Sequence, residues 1–283
     1  MIADQLRVIT WNEAVRKYLK ILRISLVERL VYRADFFVTT FFRFLPLITT
    51  FLLWEAIYDG SGKQEITGFT KDKMIAYLLL VQISRMFSSM PGLSTGIARD
   101  IRDGNLKKYL LQPIDMLWYL LSYRGAHKMA YIATTALPYG LLFFLFRDVF
   151  DGFPGPATLL AYVASLLLAF LIGFFFEACI GIAGFWFMEV TSLMYIINVL
   201  NFFVSGQMFP LDFLEAYPLV MTALQWLPFH YLAYFPAMVF LEKKSGDALI
   251  AGLAIELAWA IFFILMSRWL YRLGLRQYSA YGG

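Results

Sequence analysis

Residues 157–187 read ATLLAYVASLLLAFLIGFFFEACIGIAGFWF, and the single charged side chain among them is that of Glu177. A helix needs about 20 mostly apolar residues to cross the hydrocarbon core of a bilayer, and this stretch is longer than that. The stretch therefore predicts a transmembrane helix and places the chain among membrane proteins.

The composition of the whole chain agrees with this prediction. Of its 283 residues 60% are hydrophobic and only 16% are charged, and the mean hydropathy is +0.66. Soluble domains carry about 25% charged residues, so the excess apolar surface of this chain needs lipid. We predict an all-α, polytopic membrane protein.

Six stretches have the length and apolar character of spans. They are residues 34–58, 73–92, 116–146, 157–187, 190–209 and 248–270. The apolar region 210–241 is broken by prolines, which exclude one continuous helix there. We therefore predict short re-entrant helices at 210–241, on the outer side of the membrane and between spans five and six.

The region before the first span has a different pattern. Residues 11–33 repeat large apolar side chains every three or four positions, with basic residues on another face. This pattern predicts an amphipathic helix on an anionic membrane surface, and a helix packed on protein is the alternative. The chain is thus divided into a connecting helix within 1–33, a six-span domain at 34–270 and a basic tail at 271–283.

The charges of the loops set the orientation. With both termini cytoplasmic, 16 of the 24 Lys and Arg residues lie inside, as the positive-inside rule requires. Residues 93–115, between spans two and three, are then cytoplasmic. Ile97, Ile101, Leu106 and Leu110 form a predicted apolar edge in this segment, interrupted by Gly104. The edge is typical of a docking helix, and a positive loop that serves topology is the alternative.

The sequence lacks the motifs of several kinds of enzyme. The segment "DGSGKQE" has no Ser or Thr after Lys63 and lacks the glycine spacing of a phosphate-binding loop. Two distant histidines predict no metal site, and there is no GxSxG motif. The net charge of +4 is explained by the cytoplasmic loops, so nucleic acid is not an expected partner. A transporter or channel is favoured, with no cofactor bound by this chain.

Polar residues inside the predicted spans are the candidates for a substrate pathway, because such groups usually face protein or water. The candidates are Arg43, Arg85, Asn198, Asn201 and Gln207. Glu177 is an expected acidic partner of the two arginines. Structural pairing and interhelical hydrogen bonding are equally good explanations. Glu256 in span six is expected near its outer end, where it faces water.

Four features together resemble a known family. They are the amphipathic helix at 11–33, the segment "GNLKKYLLQPI" from Gly104, the pair "SGQMFPLDFL" from Ser205 and "LPFHYLAYFPA" from Leu227, and the tail "GLRQYSAYGG" from Gly274. In this order they resemble the membrane subunit of bacterial ABC exporters of the type-2 permease superfamily, and are most similar to the six-span branch that includes viologen-exporter-like permeases.

The resemblance implies that transport and ATP hydrolysis are carried out by different chains. A cytoplasmic ABC ATPase subunit would bind ATP and Mg²⁺, and a second copy or a paralogous permease would complete the complex in the bacterial inner membrane. The ATPase-coupling residues implied are Arg99, Asp100, Asp103, Gly104, Leu106, Lys107, Leu110 and Pro113. The outer-gate residues implied are Pro210, Leu227, Pro228, Phe229 and Pro236.

The resemblance implies export of a substrate by alternating access, and we expect this substrate to be amphiphilic, drug-like or lipid-like. Two other functions stay open at this point. A membrane enzyme acting on lipid would need a partner for Glu177 or Glu189. A secondary transporter driven by an ion gradient would need inverted repeats, and the two halves of the chain show no convincing internal similarity.

Overall fold

The computed structural model describes residues 11–31, 33–150, 152–187 and 189–278, and 80% of the chain is helical. Among the described residues the strands are confined to one antiparallel hairpin, in which Glu65–Ile66 (β1) pairs with Phe69–Thr70 (β2). The predicted all-α class is confirmed.

The described residues of the first half of the chain form six helices. Their bounds are Trp11–Val31 (α1), Arg33–Ser61 (α2), Lys71–Ser88 (α3), Leu93–Arg102 (α4), Lys107–Leu110 (α5) and Met116–Leu145 (α6). Thr70 caps α3 by accepting a hydrogen bond from the Lys73 N–H, and Asp115 caps α6 through the Trp118 N–H at 3.0 Å.

The described residues of the second half form five helices and four 3₁₀ turns. The helices are Pro156–Ile182 (α7), Thr191–Val204 (α8), Pro218–Trp226 (α9), Tyr234–Phe240 (α10) and Gly246–Gln277 (α11), and the turns are Arg147–Val149, Ala183–Phe185, Leu211–Leu214 and Pro228–Leu232. The short helices α9 and α10 replace a continuous helix at 210–241, as the prolines predict.

The chain divides into two compact units. One contains residues up to Phe41 together with Lys107–Gly140, and the other contains Phe42–Leu106 and Leu141–Gly283. In the second unit α7 is central and packs against α11, α4, α3 and α10. Gly173 allows the closest of these approaches, because a Cβ atom there would lie 2.0 Å from the Ser88 carbonyl oxygen.

Four helical stretches of the described chain are long and apolar enough to cross a membrane. They are Lys71–Arg102, Met116–Leu145, Pro156–Phe185 and Gly246–Gln277. Each overlaps a predicted span, and α2 covers the predicted first span with 29 residues. The last span continues to Gln277, beyond the predicted end at 270. The chain is therefore a polytopic membrane protein, and the number six stays a prediction.

The predicted fifth span is shorter than expected. Helix α8 has 14 residues, or about 21 Å at 1.5 Å per residue, which is less than the roughly 30 Å of a hydrocarbon core. It ends because the Ser205 hydroxyl bonds to the Asn201 carbonyl oxygen and Gly206 adopts a φ of 79°. The prediction of one continuous helix over residues 190–209 is therefore wrong.

Candidate functional site

Three of the predicted pathway residues line one small cavity inside the second unit. Arg85 reaches it from α3, Glu177 from α7, and Asn198 and Asn201 from α8. The cavity has a volume of about 20 Å³, enough for a single water molecule. Sequence spacing explains part of this convergence, since Asn198 and Asn201 are three residues apart on one helical face.

The position of Glu177 follows from the packing of α3 on α7. Gly173 lies against the end of α3, and Glu177 is one turn further along the same face of α7. Glu177 Oε1 accepts a hydrogen bond of 3.3 Å from the Met90 N–H, just after α3 ends. The opposite charges of Glu177 and Arg85 attract each other across the cavity. The predicted acidic partner of Arg85 is therefore close to it.

Of the other two predicted pathway residues, only Gln207 can be placed, and it does not line this cavity. The side chain of Arg43 lies outside the described residues. Gln207 follows the end of α8, and its Nε2 donates to Ser205 Oγ at 2.7 Å and to the Asn201 carbonyl oxygen at 3.4 Å. Gln207 was placed on the face of Asn201 by assuming a helix through residue 209, and the helix ends five residues earlier.

The proline-rich region, residues 210–241, contacts the cavity directly. Leu232 is part of the cavity wall, and the Phe229 ring meets the Phe176 ring edge to face at 5.5 Å. Phe176 also lines the cavity. Of the predicted gate residues, Pro210, Pro228 and Pro236 are buried, Phe229 is half-buried and Leu227 is exposed.

Hydrogen bonds from the long helices hold this region and the turn before it. Trp54 Nε1 donates to the Met208 carbonyl oxygen at 3.1 Å. The Tyr77 hydroxyl donates to the Gly206 carbonyl oxygen. Ser88 Oγ donates to the Leu232 carbonyl oxygen at 2.8 Å. All seven residues of α10 are buried. Side chains of α2 and α3 thus satisfy carbonyl oxygens of the turn after α8 and of the 3₁₀ turn Pro228–Leu232.

Helix α4 is part of the packed unit rather than a free docking helix. Its residues Ile97 and Ile101 are buried, and Ile97 lies against Gly181 of α7. Leu106 is 0% exposed. The predicted apolar edge is therefore wrong for Ile97, Ile101 and Leu106, because packing within this chain already buries them.

A glycine ends α4 where the sequence predicts an interruption. Gly104 has a φ of 70°, a left-handed conformation that residues with a Cβ adopt at a cost, and its N–H donates to the Ile101 carbonyl oxygen at 3.3 Å. Among the predicted coupling charges Arg99 and Asp103 are exposed and Asp100 is half-buried. Asp103 pairs with its neighbour Arg102 at 3.5 Å.

An electrostatic attraction links Arg102, the last residue of α4, to Glu189, which lies just before α8. Glu189 Oε1 accepts a hydrogen bond of 2.6 Å from the Thr191 N–H, at the first residue of α8. Hydrogen bonding to Thr191 holds the pKa of Glu189 below its usual value, and the positive charge of Arg102 adds a smaller contribution in the same direction. Both side chains are exposed, so this attraction is weak.

The exposed apolar surface of the predicted coupling segment lies further along the chain, in the first unit. Leu110 is 47% and Leu111 is 83% exposed, and we call these two residues the leucine tip. Lys107 and Lys108 beside it are exposed, whereas Tyr109 is buried with its ring 5.6 Å from that of Tyr119. Leu111 was missed from the sequence, although two adjacent leucines in a charged loop are a signal that could have found it.

Helix α1 anchors the residues after the leucine tip. Lys17 Nζ donates to the carbonyl oxygen of the exposed Pro113 at 2.5 Å, and the Asp115 N–H donates to the Tyr18 hydroxyl at 3.3 Å. Asp115 is also the cap of α6. The leucine tip is therefore connected to the start of α6 through a segment that α1 holds in place.

A buried acid was misplaced from the sequence. Glu256 of α11 was expected to face water, but its side chain is 0% exposed. Neither of its carboxylate oxygens has a hydrogen-bond partner among the described residues, and Ser165 of α7, also 0% exposed, lies near it. The packing of α11 on α7 buries this residue, which local sequence does not reveal.

The described residues thus assemble one small polar cavity and one exposed pair of leucines. Within the described parts of the chain no group of three or more His, Cys, Asp or Glu residues could hold a metal ion. No curated protein matches the sequence. A family model described as "ABC-2 family transporter protein" matches residues 44–282. Because this match covers most of a polytopic helical chain, the protein belongs to the ABC-2 transporter family and is a transmembrane ABC permease.

Proposed function

We propose that this permease exports an amphiphilic, drug-like or lipid-like substrate by alternating access, and that a separate cytoplasmic ATPase subunit binds ATP and Mg²⁺. The cavity at Arg85, Glu177 and Asn201 is the closed form of the pathway. The proline-rich region, which contacts the cavity through Phe229 and Leu232, is the outer gate. In this proposal the protein lies in the bacterial inner membrane with both termini in the cytoplasm.

The leucine tip is the observation that carries the ATPase docking. Leu110 and Leu111 present apolar surface between lysines and a proline, which is the apolar centre and polar rim of a protein interface. The anchoring of Pro113 and Asp115 by α1 supports a rigid surface through which movement of the ATPase reaches α6. The exposed side chains of Lys107 and Lys108 supply positive charge beside the tip.

Co-purification of the permease with its ATPase tests this docking. The double variant Leu110→Ser/Leu111→Ser should lower ATPase recovery and ATPase stimulation at least about tenfold, because burial of each leucine contributes about 1.5–3 kcal/mol and about 1.4 kcal/mol is a factor of ten.

The matched control is Leu219→Ser, which alters a leucine of α9 that is also highly exposed. This control should leave ATPase recovery unchanged. Equal recovery with the wild-type protein and the double variant would overturn docking at the leucine tip.

A second permease is supported by an exposed polar side chain on α8. Asn198 is exposed although most of its neighbours on α8 are large exposed apolar residues. Lipid offers an amide no hydrogen-bond partner, whereas a facing protein surface does. We therefore place a second copy or a paralogous permease against α8.

A further inference from the structure

Arg85 has an environment that ion pairing among the described residues does not explain. Its side chain lines the cavity, and no acceptor in the described residues lies within hydrogen-bond distance of its guanidinium. No carboxylate oxygen of that part of the chain lies within 4.0 Å of it. A guanidinium carries five donors and remains charged in proteins. Arg85 is half-buried, and a charged guanidinium within a predicted span is unfavourable unless water or a ligand receives its donors.

Glu177 only partly balances this charge. It attracts Arg85 electrostatically, but its Oε1 atom is already occupied by the Met90 N–H. Ser88 is also engaged, because its hydroxyl donates to the Leu232 carbonyl oxygen. Two polar groups of the cavity wall, those of Glu177 and Ser88, are therefore engaged in holding the end of α3 and the proline-rich region in place.

The third wall of the cavity contributes a polar atom that also lacks a partner. Asn201 is buried, and its Oδ1 has no hydrogen-bond partner among the described residues. Helix α8, which carries Asn201, buries only Met194 and Asn201 along its 14 residues. It is thus the least buried of the helices around the cavity, and a shift of α8 would enlarge the space in front of Arg85.

From this arrangement we infer that Arg85 receives the anionic oxygen group of the transported amphiphile, a carboxylate, phosphate or sulfate on an apolar chain. The inference rests on the proposed function and names the substrate class of that same pathway. In the present closed conformation the cavity of about 20 Å³ holds no more than one water molecule. A substrate enters when α8 and the Phe176–Phe229 contact separate, and the guanidinium then binds two oxygens at once. The apolar residues of α8 accommodate the chain of the amphiphile.

The structural alternative is a water molecule that bridges Arg85 to Glu177 and Asn201 and has no role in binding. It predicts that any change at Arg85 alters stability but not ligand preference. The two possibilities therefore differ in a measurement of selectivity rather than of folding.

Binding to the full-length protein in an uncharged detergent provides that measurement. The probes are dodecyl phosphate, dodecanol and dodecylamine, which share one alkyl chain, with inorganic phosphate as the probe for the anion alone. Tryptophan fluorescence and melting temperature report binding. Dodecyl phosphate should bind at least tenfold more tightly than the other three probes.

The variants assign this preference to Arg85. Arg85→Gln should lose the tenfold preference for dodecyl phosphate, and Arg85→Lys should retain part of it because the lysine keeps the charge without the two-pronged geometry. The control Arg147→Gln removes an exposed positive charge and should bind like the wild type. If Arg85→Gln does not fold, the dodecyl phosphate preference of Arg85→Lys is compared with that of the wild type instead.

Four outcomes would overturn the inference. One is equal binding of dodecyl phosphate and dodecanol, and another is an unchanged preference in the Arg85 variants. The third is preferential binding of dodecylamine that Glu177→Gln abolishes, which would indicate a cation site. Tight binding of inorganic phosphate alone would assign the site to a small anion instead of an amphiphile.

Failure of the proposed function would look different. A wild-type permease that does not recover an ATPase, with the dodecyl phosphate preference intact, would contradict the ATP-driven mechanism and leave the Arg85 site. Normal ATPase recovery with no anion preference would contradict only the Arg85 site.

Discussion

At the scale of single residues, small side chains decide where the cavity lies. Gly173 lets the end of α3 rest on α7, and this contact brings Arg85 and Glu177 to the same space. Gly104 ends α4 before the leucine tip begins. The positions of the cavity residues Arg85 and Glu177 therefore depend on Gly173, which has no side chain of its own.

Gly173→Ala should weaken the fold and open the cavity. A Cβ atom would lie 2.0 Å from the Ser88 carbonyl oxygen, so α3 and α7 must move apart, and such overpacking costs about 1–3 kcal/mol. We expect a lower melting temperature in detergent together with weaker binding of dodecyl phosphate.

The control for this variant is Gly140→Ala in α6, where nothing lies within 4 Å of the added Cβ. Alanine favours a helix over glycine by about 1 kcal/mol, so this change should keep or raise the melting temperature. A Gly173→Ala protein as stable as Gly140→Ala would show that the helices separate easily and that the close contact is unimportant.

At the scale of helices, sequence periodicity was sufficient where a helix is long and regular. The ends of α6 and α7 were predicted to within a few residues, and the spacing of Asn198 and Asn201 correctly placed them on one face. Prediction failed where tertiary packing overrides local pattern. Leu106 and Ile101 have the spacing of a docking face but are buried, and Gln207 lies beyond a helix end that Ser205 and Gly206 create.

Helix α8 carries a prediction about assembly. Asn198→Cys should give a covalent dimer with a short bismaleimide if the second permease is another copy of this chain. The native Cys179 is buried, so the introduced thiol is the accessible one. Non-reducing electrophoresis of cross-linked membranes measures the dimer.

The matched control is Leu137→Cys on α6, whose side chain is highly exposed and apolar. It should remain monomeric under the same conditions. Equal cross-linking at both positions would indicate random collision in the membrane, and its absence at Asn198 would favour a paralogous partner over a second copy.

At the scale of the whole molecule, the long helices differ from the loop that carries the leucine tip. The helices are long and apolar enough to cross a membrane, whereas the leucine tip and the exposed lysines beside it lie between two candidate spans. The fold class was evident from composition and the ABC-2 family from motif order. The burial of Glu256 and the exposure of Leu111 could not be predicted from the sequence, because both depend on how distant helices pack.

ATPase docking requires that the leucine tip face the cytoplasm. This orientation can be measured by labelling introduced cysteines, because the native Cys179 is buried. Lys63→Cys and Lys107→Cys introduce thiols at exposed positions on opposite predicted sides of the membrane. The positive-inside rule predicts that a membrane-impermeant maleimide labels Lys63→Cys in intact spheroplasts and Lys107→Cys only after lysis. Labelling of Lys107→Cys in intact spheroplasts would place the leucine tip outside the cell, where it cannot meet a cytoplasmic ATPase, and would contradict the orientation and the docking together.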